Sequence, residues 1–147
     1  MQGREAAGWT GVYAFWVLSV AIGIGLYLVS RQTVGIVVEI AGAGDLARTA
    51  IDRFYLFFAA IALIVVIVFL EHYYRTGFQK GRLLVRVARV IGIELLVLAI
   101  LHTIPQIVVG GYGSWIERAV ILLEGAGGFA LLGVSLRSRQ KERACRR

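Results

Sequence analysis

The sequence predicts an all-α polytopic membrane protein, an antiparallel bundle of four transmembrane helices forming a single domain over residues 1–147. Three observations carry this. The chain is 59% hydrophobic and 17% charged, where a soluble domain carries about a quarter charged residues. Whole blocks hold no charge at all: residues 6–30, 54–70 and 95–116. The basic residues that remain gather on alternate connections between apolar runs. Together these exclude a soluble enzyme domain and a disordered chain.

The first span is read at Val12–Val29, with Trp9, Tyr13 and Trp16 near its start as interfacial aromatics. A bilayer core of about 30 Å needs roughly 20 helical residues. The leader carries Arg4 offset by Glu5, and SRQTVG offers no small-x-small cleavage site, so a retained helix is expected rather than a signal peptide. Ser19 and Gly23 stand four apart, as do Ala21 and Gly25, and both pairs mark a helix-packing seam.

The connection from Ser30 to Arg53 is the one long loop. Its TVGIVVEIAGAG is apolar apart from Glu39, and is either an extension of the first helix or a short interfacial helix. Gly42 and Gly44 are expected to end it, and Asp45 to cap the next helix. That helix, Asp45 to Tyr74, would be about 45 Å long and contain the second span, Phe54–Leu70. Its β-branched residues favour strands in water, but in lipid an isolated strand leaves its backbone unsatisfied, so a helix is expected. Continuous runs such as IALIVVIVFL do not alternate as barrel strands do.

Short connections follow. In RTGFQKGR, Gly77 is expected to terminate the second helix and Gly81 to relax the turn, with Tyr73, Tyr74 and Phe78 at the interface. The third span is Val90–Val109. Arg82, Arg86 and Arg89 share one face at its start, within snorkelling reach of lipid headgroups. They lie too close to the membrane edge for a voltage sensor. Pro105 lacks an N–H and frees the carbonyl of Leu101. After VGGYGSW comes the fourth span, Trp115–Leu136. Both tight connections imply antiparallel neighbours, and hence a compact up-down bundle.

Twelve of the sixteen lysines and arginines precede the first span, lie around the second connection, or follow the fourth span. The positive-inside rule then puts both termini in the cytoplasm, with the basic tail 137–147. Arg137 and Arg139 join the other basic residues as headgroup contacts. The net charge of +7 reflects this topology and does not imply nucleic-acid binding. Cys145, the one cysteine, has no partner within the chain for a disulfide or a metal.

A carboxylate at membrane depth is the default functional candidate. Glu94 lies about a third of the way into the third span, Glu124 near the middle of the fourth, and Glu71 at the half-wet end of the second. Glu117, Ile121, Glu124, Gly128, Leu131 and Ser135 fall within roughly 40° of one line at about 100° per residue, a polar and small face expected to meet protein. The acids are read either as bundle glue or as a proton or cation path. Glu94 is expected to face a different neighbour from the arginines. His72 and His102 lie at opposite ends and cannot ligate one haem within a chain, so a haem- or quinone-associated anchor would need a partner. No HExxH, phosphate loop or serine–histidine arrangement suggests hydrolysis. No cofactor and no metal site are expected.

The stretch Ile61–Leu98, IALIVVIVFLEHYYRTGFQKGRLLVRVARVIGIELLVL, resembles the phosphate-starvation-inducible PsiE-type family of small membrane proteins. Tyr73, Tyr74, Gly77 and Phe78 before the third span, and Gly92-Ile93 within it, carry the resemblance, while Glu71-His72 and Arg82 depart from it. The resemblance implies four spans, a longer outer loop, a basic inner loop and a stress-associated protein without established catalytic residues. The function expected is a non-enzymatic accessory or structural subunit of a larger membrane complex or homo-oligomer, in contact with membrane lipids. The alternatives are a small transporter or channel using Glu94 and Glu124, or the haem- or quinone-associated anchor.

Overall fold

The structure is a computed structural model describing the backbone of residues 2–110 and 114–144 and the side chains of residues 8–110 and 114–138. These residues form four α-helices: α1 (Gln2–Ile40), α2 (Asp45–Gln79), α3 (Leu83–Val109) and α4 (Trp115–Ala144). Gly8–Ile40, Asp45–Gln79 and Trp115–Ser138 are long and apolar enough to cross a membrane.

The helix ends follow local backbone chemistry. Of the two readings of TVGIVVEIAGAG, the extension holds, and α1 continues to Ile40, for 39 residues in all. At 1.5 Å per residue this is about 58 Å, well beyond the hydrocarbon core. Gly42, with φ of 69°, turns the chain in the left-handed region that glycine reaches without a Cβ penalty. Gly44 occupies the N-cap position of α2 and no side chain caps it. Asp45 is therefore not the cap. It lies in the first turn, where the helix dipole favours a negative charge. Nor does Gly77 end α2, which runs on to Gln79 with the turn made at Gly81, φ 65°. Gly77 is buried instead, because the Arg86 side chain lies across it: a Cβ there would come 2.7 Å from Arg86 Cδ.

Paired residues fix the directions. Gly8 meets Phe78 and Gly23 meets Leu63, so α1 and α2 are antiparallel. Arg89 meets Ser135 and His102 meets Glu124, so α3 and α4 are antiparallel as well. Thr33 of α1 reaches Leu101 of α3, while Val12 and Val87 share one buried cluster, so these two run parallel. The chain thus reverses at every turn. α3 carries it from the end of α2 to the start of α4 and packs alongside all three other helices.

The bundle is more open than an up-down ring. α3 packs on α1, α2 and α4, whereas among the described residues α4 touches α3 alone. Lipid tails are as apolar as leucine, so no hydrophobic force closes the ring, and close packing decides which helices meet. At the α3–α4 crossing Gly92 and Gly128 supply that packing. A Cβ on Gly128 would lie 2.9 Å from the Gly92 carbonyl oxygen and 2.7 Å from Leu96 Cγ. The buried apolar cluster is small, namely Val12, Leu70, Tyr74 and Val87 with Trp9, Trp16 and Phe78 against it. Phe57, Ile64, Val68 and Leu123 are exposed, as a lipid-facing surface requires.

Candidate functional site: polar groups around the third helix

The polar side chains of the apolar region collect around α3 at three levels. The first lies at the end bearing the α2–α3 turn. Arg86 Nη1 donates to the Tyr73 carbonyl oxygen at 2.6 Å, and its guanidinium stands 4.5 Å from the centre of the Tyr73 ring. Arg89 donates to Ser135 Oγ at 3.1 Å and reaches the Tyr73 hydroxyl at 3.5 Å. Ser135 is 1% exposed. Both guanidiniums are therefore held against protein, half-buried, while Arg82 and Arg137 are exposed. The side chain of Arg139 lies outside the described residues, as does Cys145. On the flank of this level Glu71 pairs with Arg75 one helical turn away at 3.5 Å.

The second level is the junction of α1, α2 and α3. Ser19 and Tyr74 are both fully buried, and their hydroxyls are 2.6 Å apart. Beside them Trp16 donates its indole N–H to the Ile67 carbonyl at 3.1 Å. Glu94 shares the helical face of Val87, and so looks toward α1 and α2, away from the side of α3 that meets α4. It lies within Coulombic reach of Tyr74. Its Oε2 is buried without a hydrogen-bond partner.

The third level is His102 and Glu124. His102 Nδ1 and Glu124 Oε2 are 2.9 Å apart, and Glu124 is 8% exposed. Next to them Thr33 Oγ1 divides its proton between the Val29 carbonyl at 2.9 Å and the Leu101 carbonyl at 3.4 Å. Leu101 is the residue whose carbonyl Pro105 leaves without its helical donor. α1 thus supplies the donor that α3 lacks.

These levels are separate. Glu94 and His102 are about 12 Å apart along α3 and turned by about 80° from one another, so they form no hydrogen-bonded chain. The α4 face holding Glu124, Gly128 and Ser135 is buried against α3, while Glu117 at its end is exposed. Gly23 is looser, since a Cβ there would sit 3.5 Å from Leu63 Cδ1, an ordinary contact. His72 is exposed at the other end from His102, and no group of three or more His, Cys, Asp and Glu among the described residues is placed to hold a metal.

Beyond the end of the expected spans, α1 and α2 are joined by ion pairs. Arg31 grips Asp52 through two bonds of 2.9 Å, and this hydrogen-bonded guanidinium holds the Asp52 carboxyl below the usual carboxylate range. Arg48 and Glu39 add a looser pair at 3.6 Å. An open groove of about 480 Å³ lies between them, with Thr49, Tyr55 and Leu28 in its walls.

Three pairings around α3 are not foreseen from the sequence. His102 with Glu124 and Arg89 with Ser135 follow from reflecting the short third loop, since residues equidistant from its middle oppose one another in an antiparallel hairpin. Thr33 gives no comparable signal. No family model, curated protein or solved structure matches the chain.

Proposed function

We propose that this chain is a non-enzymatic membrane subunit that assembles through α4 with further copies of itself or with a larger membrane complex. The observation that carries this reading is the placement of α4, which among the described residues packs on α3 alone and presents its opposite face outward. Ala119, Ala126, Ala130 and Gly133 lie within roughly 60° of one line on that face. The three alanines are exposed, and a Cβ on Gly133 would meet nothing within 4 Å. Small residues at this spacing let a second helix approach closely. The end with the α2–α3 turn is read as cytoplasmic from its basic residues. A stress-associated role is what the resemblance of Ile61–Leu98 adds.

Crosslinking in native membranes, combined with mass measurement in mild detergent, tests the reading. The expected result is an oligomer or a defined complex, and a strictly monomeric, partner-free species would overturn it.

A second reading, a small proton- or cation-coupled transporter, is favoured by the unpartnered Glu94 Oε2 at a three-helix junction. Reconstitution into vesicles under a pH gradient separates the two. Transport that Glu94→Gln or Glu124→Gln abolishes supports the transporter, and no flux supports the subunit.

A further inference from the structure

The start of α3 departs from what a helix N-terminus favours. The positive end of the helix dipole favours acidic side chains and disfavours basic ones. α3 has no acidic residue in its first turn. It carries Arg86 and Arg89 within its first two turns instead. No Asp or Glu among the described residues forms an ion pair with either arginine: the pairs seen are Arg31–Asp52, Arg48–Glu39, Arg75–Glu71 and His102–Glu124. Two half-buried cations thus meet on one tyrosine, near a positive helix end, without a counter-charge among the described residues.

They are nonetheless fixed in place. The absence of a Cβ at Gly77 lets the Arg86 stem lie across α2, and the Tyr73 carbonyl and ring hold its guanidinium. Arg89 is tied to the Tyr73 hydroxyl and to Ser135 of α4. Tyr73 therefore links the two, with one guanidinium at its face and the other at its hydroxyl. Each guanidinium has five N–H donors, and these contacts use a minority of them. The donors left over belong to planar guanidinium groups, whose chemistry suits a tetrahedral oxyanion.

We propose that Arg86 and Arg89, gathered on Tyr73 and Ser135, form a binding site for the phosphodiester of an anionic phospholipid headgroup. The surroundings favour a lipid over a free ion. The site stands at the rim of the apolar region, beside exposed Phe69, which stacks on Tyr73 at 5.9 Å, and exposed Leu136, next to Ser135. Acyl chains attached to the bound phosphate would cover both. A site of this kind differs from a diffuse basic surface, because two particular side chains, not their total charge, hold the ligand.

The test is lipid retention by the whole protein in neutral detergent, read by native mass measurement after incubation with an equimolar mixture of phosphatidylglycerol and phosphatidylcholine. The expected result is one retained phosphatidylglycerol in preference to phosphatidylcholine. The double variant Arg86→Gln/Arg89→Gln should weaken retention by about tenfold or more, as loss of charge-assisted hydrogen bonds does. Tyr73→Phe keeps the ring but removes the hydroxyl that steadies Arg89, and should weaken retention less. It also serves if the double variant loses its helical circular dichroism. Lys80→Gln removes one charge from the same end outside the site and should leave retention unchanged. Equal retention of the two lipids, or loss with Lys80→Gln as large as with the double variant, would overturn the proposal. So would displacement of the lipid by millimolar inorganic phosphate, which would show that the site takes the free ion as readily.

Discussion

The pairing of Glu124 with His102 makes a measurable difference between three side chains of similar size at one position. Glu124→Gln retains an oxygen and gains N–H donors, so His102 keeps a partner, and detergent melting should change little. Glu124→Leu removes the partner and leaves a half-buried imidazole unpaired, which should cost about 0.5–2 kcal/mol if it behaves as other interhelical hydrogen bonds in membranes do. His102→Leu should cost a similar amount, and the double variant less than the sum of the two, because the bond can be lost only once. A Leu variant as stable as the parent would mean that Glu124 faces lipid. Both residues are prominent in the sequence as polar groups in apolar runs, and they read as a pair only once the hairpin is reflected about the middle of the third loop. Thr33 is harder to see. A lone threonine in an apolar helix is unremarkable until the carbonyl freed by Pro105 on another helix is placed beside it.

At the scale of the helix, glycine has two opposite uses, and the chain contains both. Gly128 lies where α4 crosses α3, and a methyl group there would collide with the Gly92 carbonyl and Leu96. Gly128→Ala should force the helices apart at a cost of about 1–3 kcal/mol, the usual range for overpacking. Gly25 lies in α1 with nothing within 4 Å of a would-be Cβ. Gly25→Ala should be neutral or should stabilise by up to about 1 kcal/mol, the helix-propensity difference measured in water. Melting of the two variants in one detergent checks both signs, and a Gly128→Ala protein as stable as Gly25→Ala would remove the close crossing. The same ambiguity explains what the sequence conveys about helix ends. Low helix propensity marks a terminator and a contact point equally well, so Gly77 reads as the end of α2 when it is where Arg86 crosses, while Gly42 and Gly81 do sit at turns. The existence and order of the helices are legible because they rest on long uncharged runs. The extension of α1 to Ile40 is one of two readings that composition leaves open, since an apolar stretch at the interface can lie flat or continue upward.

For the whole molecule, the four-helix class follows from uncharged runs and short connections, but which helices touch does not. In water a hydrophobic face must be covered, and amphipathic stripes reveal the neighbours. In lipid an apolar face needs no cover, and only small and polar residues mark contacts. The basic residues carry a separate expectation about orientation. With the α2–α3 turn in the cytoplasm, a membrane-impermeant thiol reagent applied to intact cells should label a cysteine placed at Gly111 and spare Cys145. Both positions lie outside the described residues, and labelling of Cys145 from outside would invert the topology. The last prediction concerns the outward face of α4. If that face meets only lipid, Ala126→Leu and Ala130→Leu add apolar surface to an apolar solvent and change neither melting nor the assembly state. If it meets a second helix, the added side chains fill the space that small residues leave for its backbone. The helix of the same chain is untouched, since α4 meets α3 through the opposite side, carrying Glu124, Gly128 and Ser135. The double variant Ala126→Leu/Ala130→Leu should therefore convert the assembled species to monomer in mild detergent while its helical circular dichroism remains that of the parent. Gly128→Ala should do the reverse, lowering stability before assembly. An assembly that survives both leucines unchanged would exclude this face as the contact, and the subunit reading would lose the observation on which it stands.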